Sequence, residues 1–522
     1  MLITGNEAIV MGCLNSGVKY FAGYPGTPCT EIGEMLSNYE QVNAEWSVNE
    51  KVALEVATGI SYAGCRVLIG MKTLGLNVAA DCLSQIAGTP INGGMVLVVA
   101  DDVGRIAADD YQDCRFYGTA FSIPILEPAS SKEAYDMTKL AFEISEKFCT
   151  PVLIRMNSIT CKSASVVEGV SAEFIEAPLH RIYKKSLQKT IGNIVRFGFE
   201  NYNVSPLKEY WVDFEENKRK LEDYVQQVSI NFYQQCNSKI GVIACGNAYN
   251  YVAEIRDKVG ILKLGLSYPL PEKIVRDFFD TYEKVYILED GFAVIEKEIN
   301  KLGYQVMGEE YFPRFPQMLY LTSEIIEEKI LGIRNGNKRL VVPFRLPENC
   351  KGCPHHTVTK AIKATNIHCA GGIGCGSLAA FPHNNAIEVI KCMGSSIGIA
   401  HGYNKVGETP LVSIMGDGEF WHSGLNGLIN TYYNNGRGVF VIQDNFTIAM
   451  TGGQRCISGG TNEEGKYQKI AIEDVVKAIG IKDIFIVDGY DERKLIELIE
   501  TYYQKDNITV IIVRKECMLF RT

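Results

Sequence analysis

No apolar run in this chain is long enough to span a bilayer, and no basic block stands out along it. The first absence excludes a membrane-spanning helix. The second, with 61 Asp plus Glu against 52 Lys plus Arg, argues against nucleic acid as a partner. The opening MLITGNEAIVMGC has no basic segment ahead of a hydrophobic core, so no export leader is expected and the protein should be cytoplasmic. Histidine is scarce, seven in 522 residues, so each one inside a motif carries weight. Cysteine is not: sixteen thiols in a chain without an export signal should be mostly reduced, and any clustered set suggests metal or redox chemistry rather than a disulfide frame. The length is too great for one core, and about three domains are expected.

The stretch LVSIMGDGEFWHSGLNGLINTYYNNGRGVFVIQDNFTIAMTGGQ organises the rest. Leu411 to Met415 reads as a buried strand, Gly416 and Gly418 as a sharp turn, and Leu425, Leu428, Ile429 and Tyr432 as one face of a helix. Gly436 is the expected helix C-cap, and Val439 to Ile442 the next strand, bringing Asp444 and Asn445 to its carboxyl end. In a doubly wound sheet, ligands collect at those ends. Asp417 and Asn445 would then offer a carboxylate and an amide oxygen to a hard cation, and Mg²⁺ completes such a set with phosphate oxygens. The arrangement resembles the thiamine diphosphate (TPP) motif, in which the Asp, the Asn and a main-chain carbonyl two residues on, here Thr447, hold the metal that clamps the diphosphate. A bare GDG also describes ordinary turns; the strand, the helix and the Asn at the right distance favour the cofactor.

Two stretches of the first 185 residues carry candidate chemistry. In VKYFAGYPGTPCTEIGEML a strand runs into a Gly- and Pro-rich loop and a helix opens near Thr30. Thr27 and Thr30 are candidates for a substrate carboxylate, although N-capping is the simpler role for Thr30. Downstream, Glu50 opens a helix whose Val52, Leu54 to Val56 and Gly59 suit close packing on a sheet. A carboxylate favoured by the helix dipole is the bland account. TPP enzymes instead use one Glu at such a position to hydrogen-bond the aminopyrimidine ring, and their pattern of NE with a Gly nine residues on is matched by Asn49-Glu50 and Gly59. Apolar burial is what would keep such a Glu protonated.

Strands at Val67 to Gly70, Met95 to Ala100 and Pro151 to Arg155 alternate with helices at Ala79 to Ile86 and Lys132 to Glu146, so a parallel α/β sheet is expected. GYPGTPCTE, EWSVNEKVALEVA, MKTLGLNVAADCL and ILEPASSKEAYDM resemble the pyrimidine-binding domain of the indolepyruvate ferredoxin oxidoreductase alpha subunit, within the 2-oxoacid:ferredoxin oxidoreductases. The resemblance implies an α/β thiamin diphosphate-binding fold with two doubly wound parallel-sheet domains. They would be a pyrimidine domain at 1–185 and a diphosphate domain at 340–522, flanking a smaller transketolase C-terminal-like α/β domain at 239–335. Residues 186–238, polar and helix-prone, are expected to be a linker or helical insertion.

Cys350-Lys351-Gly352-Cys353-Pro354-His355-His356 resembles the family's CPGCPHR, and Cys375 and Cys517 fall where its third and fourth cluster cysteines do. A lone CxxC is ambiguous between zinc, redox pair and neighbouring thiols. The resemblance implies one [4Fe-4S] cluster on Cys350, Cys353, Cys375 and Cys517, against the alternative of buried inert thiols. It also singles out His422 and His355, ahead of His356, as proton donors or substrate contacts, and Met450, Thr451 and Gly452 as a loop over the cofactor. Cys456, just after that loop, is a possible distractor.

Departures from the family bear on the substrate. Thr73 replaces a His in MKTLGLN, and VGRIAADDYQD differs after Asp102, both where substrate recognition is expected. The family's C-terminal ferredoxin-like domain is not matched before Thr522. The expectation is therefore a TPP- and Mg²⁺-dependent enzyme decarboxylating a 2-oxoacid, with the cofactor ring as electron sink. In the oxidative form electrons pass through the cluster to a ferredoxin or partner subunit, and coenzyme A and a gamma-type subunit fit that form. A non-oxidative decarboxylase or carboligase and a non-catalytic assembly subunit are the alternatives. Glu50 and the diphosphate site fall in different domains, so the resemblance also implies an obligate homodimer with the active site between chains.

Overall fold

The computed structural model describes residues 1–103, 112–177, 205–312, 322–333, 346–406 and 410–520, with 205–214 described as backbone only. The segment 104–111, which holds most of the expected substrate-recognition stretch, and residues 186–204 of the expected linker lie outside the described residues. The chain divides into two compact units, Met1–Lys338 and Arg339–Thr522.

Among the described residues of the first unit, the larger sheet has seven strands. Their order is Leu266–Tyr268, Ile125–Leu126, Val152–Asn157, Met95–Asp101, Val67–Lys72, Tyr20–Gly23, Asn43–Trp46. The strands Val67–Lys72 and Met95–Asp101 are almost wholly buried and rich in Val, Leu, Ile and Met. That is the composition of strands covered on both faces. Every pairing is parallel except the edge one, where Leu266–Tyr268 runs antiparallel to Ile125–Leu126. This edge strand comes from beyond residue 239, so the second α/β segment completes the sheet of the first. A four-stranded sheet has the order Lys284–Leu288, Ile240–Cys245, Gly260–Leu264, Phe232–Gln234, parallel but for the last, and Leu2–Thr4 pairs antiparallel with Ala164–Val166. Within the stretch expected to be a linker, the helix Ser205–Val225 sets Leu221 and Val225 into the main core, and Phe232–Gln234 is a strand.

Helix Glu50–Tyr62 begins where Asn49 caps it, its side chain accepting from the Val52 amide (3.0 Å). It buries Glu50, Ala53, Leu54, Ala57 and Ser61. Gly59 does not pack on the sheet: nothing lies within 4 Å of where a Cβ would stand.

The second unit is one six-stranded, all-parallel sheet in the order Val389–Ile390, Cys369–Gly371, Val412–Gly416, Gly438–Asp444, Ile508–Arg514, Asp483–Asp488. Helices Ser395–Val406 and Leu425–Tyr433 lie in one apolar layer, and His355–Thr365 and Glu492–Tyr502 in another. Gly436 is not the helix cap expected of it. The left-handed residue is Asn435 (φ 50°), whereas a Cβ on Gly436 would stand 2.4 Å from the His401 ring. Close packing, rather than backbone freedom, requires that glycine.

Candidate active site

Parallel pairing sets Gly416 opposite Gln443, so Asp417, just past one strand, and Asp444-Asn445, at the end of the next, leave the sheet side by side. Asp417 is 2 % exposed, and its carboxylate accepts the amides of Gly418 (2.9 Å) and Phe446 (3.0 Å). Phe446 sits at φ 66°, a costly conformation for a bulky residue, and reverses the chain. The Thr447 amide thereby returns to the Asn445 side-chain oxygen (3.2 Å). Burial, and then the neighbouring Asp444 carboxylate, push the Asp417 carboxyl well above its usual range. Arg514 holds one Asp444 oxygen (2.7 Å), while the other is buried and accepts from no donor. Two enclosed, interacting carboxyl groups, with one oxygen left without a donor, suit a divalent cation, which supplies the missing positive charge. Gly416 adds room, since nothing lies within 4 Å of where its Cβ would be. The residues present therefore fit Mg²⁺ and a diphosphate.

The helix expected after this turn starts irregularly. One turn at Asp417–Glu419 leads into a single π-helical turn, Phe420–Gly424, and only then into Leu425–Tyr433. Such turns often mark functional sites. His422 lies in it, buried, its Nδ1 2.7 Å from the Ser423 hydroxyl. Met450-Thr451-Gly452-Gly453-Gln454 folds back on the metal-site segment: the Gln454 carbonyl accepts the Thr447 hydroxyl and the Ile448 amide, both at 3.0 Å. Met450 is exposed at its tip. Cys456 is more than a distractor in position, since its thiol points at the Asp417 carboxylate (3.8 Å).

The four cysteines expected to act together gather in the second unit. Burial first, then the nearby Cys353, Cys517 and Cys350, push the Cys375 thiol up to about 12. Burial likewise raises Cys353, with Cys350 and Cys517 adding to it. Among the described residues no Cys, His, Asp and Glu side chains form a single-ion site. The Cys517 amide donates to the Asn445 carbonyl (3.2 Å), tying the last cysteine to the metal-site loop. His355 opens helix His355–Thr365, with Nδ1 3.4 Å from the Cys353 sulfur. Burial, and then the neighbouring His356, lowers it to about 4.

In the first unit Glu50 is 6 % exposed and lies against Gly75, where a Cβ would stand 2.4 Å from its oxygen. Thr30 is not the N-cap: Cys29 holds that position, and the buried Thr30 hydroxyl has no hydrogen-bond partner. Thr27 is half-buried in the loop before it. The Thr73 hydroxyl lies against the Ala100 carbonyl (3.1 Å) and the Asp101 carboxylate, so its proton is already engaged.

Residues 11–226 match the family model of pyruvate flavodoxin/ferredoxin oxidoreductases, thiamine diphosphate-binding, and 372–513 that of the C-terminal TPP-binding domain of thiamine pyrophosphate enzymes. The indolepyruvate oxidoreductase subunit IorA of Pyrococcus horikoshii is 32% identical over all of this chain and 86% of its own length. The corresponding subunit of Archaeoglobus fulgidus is 32% identical over 99% and 86%. The chain belongs to the IorA family. More distantly, the 2-oxoglutarate synthase subunit KorA of Archaeoglobus fulgidus is 27% identical over 64% of this chain and 98% of its own. The IorA family consists of enzymes, and the α/β thiamine diphosphate-binding fold expected from the sequence is the one found. Among the described residues no helix is long and apolar enough to cross a membrane.

Asp444 and Cys456 were placed by the sequence reading without a role, and Glu419, pushed up to about 7 by burial despite accepting three amides, escaped it. Asp444 and Glu419 lie next to, or two residues from, the expected ligands Asn445 and Asp417 in sequence, which was the available signal.

Proposed function

We propose that this protein is the catalytic subunit of a TPP- and Mg²⁺-dependent enzyme that oxidatively decarboxylates a 2-oxoacid of aryl- or alkyl-pyruvate type. One observation carries the reading: the buried, adjacent Asp417 and Asp444 carboxyl groups, one Asp444 oxygen of which has no donor, lie in the same unit as four gathered thiols, and Asn445 is directly linked to the last of these cysteines. Asp417, Asn445 and the Thr447 carbonyl would hold the metal, and Met450, Thr451 and Gly452 would cover the diphosphate beside Gly416 and Gly418. Cys350, Cys353, Cys375 and Cys517 would hold a [4Fe-4S] cluster. Bound TPP supplies an electron sink for decarboxylation. Glu50 would hold the proton at its aminopyrimidine, and His422 would contact substrate or donate a proton. Thr27, Thr30 and Thr73 are the proposed substrate contacts, with Thr73 the weakest because its proton is engaged. Relatives named as indolepyruvate and 2-oxoglutarate enzymes support a 2-oxoacid substrate; coenzyme A as co-substrate, a ferredoxin or partner subunit as acceptor and a gamma-type subunit complete the proposal. The proposed working form is a cytoplasmic homodimer with its active site between chains; sixteen free thiols agree with a reducing compartment.

The test is anaerobic purification with a visible spectrum and assays of iron and acid-labile sulfide. A brown protein with about four irons per chain, lost in Cys517→Ala, supports the oxidative reading. Colourless, iron-free protein that binds TPP and releases CO₂ from a 2-oxoacid points to the non-oxidative decarboxylase or carboligase. Wild-type protein inert toward every 2-oxoacid and partner points to an assembly subunit.

A further inference from the structure

Glu419 stands two residues beyond Asp417, is 4 % exposed, and accepts hydrogen bonds from three separate segments. The donors are the amides of Gly416 (3.1 Å), Ile373 (2.5 Å) and Gly394 (3.2 Å). Gly416 ends the strand Val412–Gly416 and immediately precedes Asp417. Ile373 follows the strand Cys369–Gly371 and lies two residues before Cys375. Gly394 leads into the helix Ser395–Val406. Gly372 makes the arrangement possible, since a Cβ there would stand 2.1 Å and 2.3 Å from the two carboxylate oxygens. Buried, charge-assisted hydrogen bonds of this kind are strong and directional. All three partners are donors, so a carboxylate suits the position and an amide side chain, which must turn an NH₂ toward one of them, does not.

We propose that Glu419 is a positioning residue that holds the Asp417 turn and the Cys375 loop in one frame, so that the metal end of the cofactor site and the cluster loop move together. The inference rests on the assignment of Asp417 and Cys375 made under Proposed function, and extends it by making the two sites mechanically dependent. Binding at one is then felt at the other, and the dependence is reciprocal.

Two experiments on the anaerobically purified full chain test it. In the first, Glu419→Gln is compared with wild type for Mg²⁺-dependent TPP affinity by calorimetry and for the electron paramagnetic resonance spectrum after dithionite reduction. The expected result is a roughly tenfold or greater loss of TPP affinity together with an altered cluster line shape. Wild-type values for both, or a change in only one, overturn the inference. The second uses wild type alone, and therefore decides the matter if the variant does not fold or the protein carries no iron. Addition of TPP with Mg²⁺ should slow hydrogen exchange at the Ile373 and Gly394 amides along with Gly416. Protection confined to Gly416 overturns the inference. Wild type that binds no TPP and shows no cluster signal refutes the functional reading itself, and the inference falls with it; intact wild-type function with an inert Glu419 refutes the inference alone.

Discussion

Glu50 and Gly75 form one device at the residue scale. The glycine leaves the space that the carboxyl group fills, and an added methyl would meet Glu50 Oε1 at 2.4 Å and Cγ at 2.5 Å. If Glu50 handles the aminopyrimidine proton, Glu50→Gln should keep TPP bound while turnover falls roughly 10²- to 10⁴-fold, the range for removal of a general acid–base. Gly75→Ala should lower kcat by about 10²-fold although every polar atom is retained, because it moves the carboxyl group. Steady-state kinetics beside a TPP titration checks both. Undiminished kcat in Gly75→Ala would show that the position of Glu50 is unimportant.

At the scale of elements, the loop Met450–Gln454 is shaped by two constraints that meet at Gly453. Its φ of 94° lies in the left-handed region, and a Cβ there would stand 1.7 Å from the Phe520 ring, in the turn that follows Cys517. Glycine alone meets both conditions. Gly453→Ala should destabilise the protein by about 1–3 kcal/mol and weaken TPP binding, since the loop must twist or push Phe520 aside. Thermal unfolding with and without TPP measures the two effects separately. An unchanged melting temperature would mean that the loop yields freely.

A buried network of ion pairs lies within the first unit, at the seam between its two main sheets. Arg115 pairs with Asp113 (2.6 Å) and Glu289 (2.7 Å), and Arg155 with Asp101 (2.5 Å) and Glu127 (2.8 Å). Arg155 also donates to the Asp290 carbonyl (2.7 Å) and Asn157 to the Asp290 carboxylate (3.0 Å). These carboxylates outnumber the two arginines. Burial, offset partly by Arg155, accordingly pushes Asp290 up to about 6, whereas Asp113, beside both arginines, is held down to about 2 against the cost of its burial. Asp290 is an acid with a raised folded-state pKa, so its contribution to stability is present at low pH. It is lost as pH rises from about 4 through about 6. The loss is on the order of 3 kcal/mol. Asp290→Asn should flatten that part of the stability curve and melt above wild type at about pH 8, as calorimetry across pH would reveal. A variant whose curve parallels wild type would exclude Asp290 as the titrating group.

The α/β alternation, the strands that carry Asp417 and Asn445, and the helix opened by Glu50 were legible in the sequence because each rests on local periodicity and turn chemistry. The resemblance to the IorA family rested on equally local motifs. Contacts between residues far apart in sequence were not legible. Nothing near Leu266 announces that its strand joins the first sheet, and nothing near Asp444 shows that one of its oxygens is stranded beside Asp417. The expected reasons for glycines failed for the same cause: Gly436 makes room for His401, and Gly59 faces open space. Periodicity determines which residues form a strand and which face is apolar. Which strand ends converge, and therefore which buried carboxylates and thiols must share a charge, is decided only when the sheets close and water is excluded.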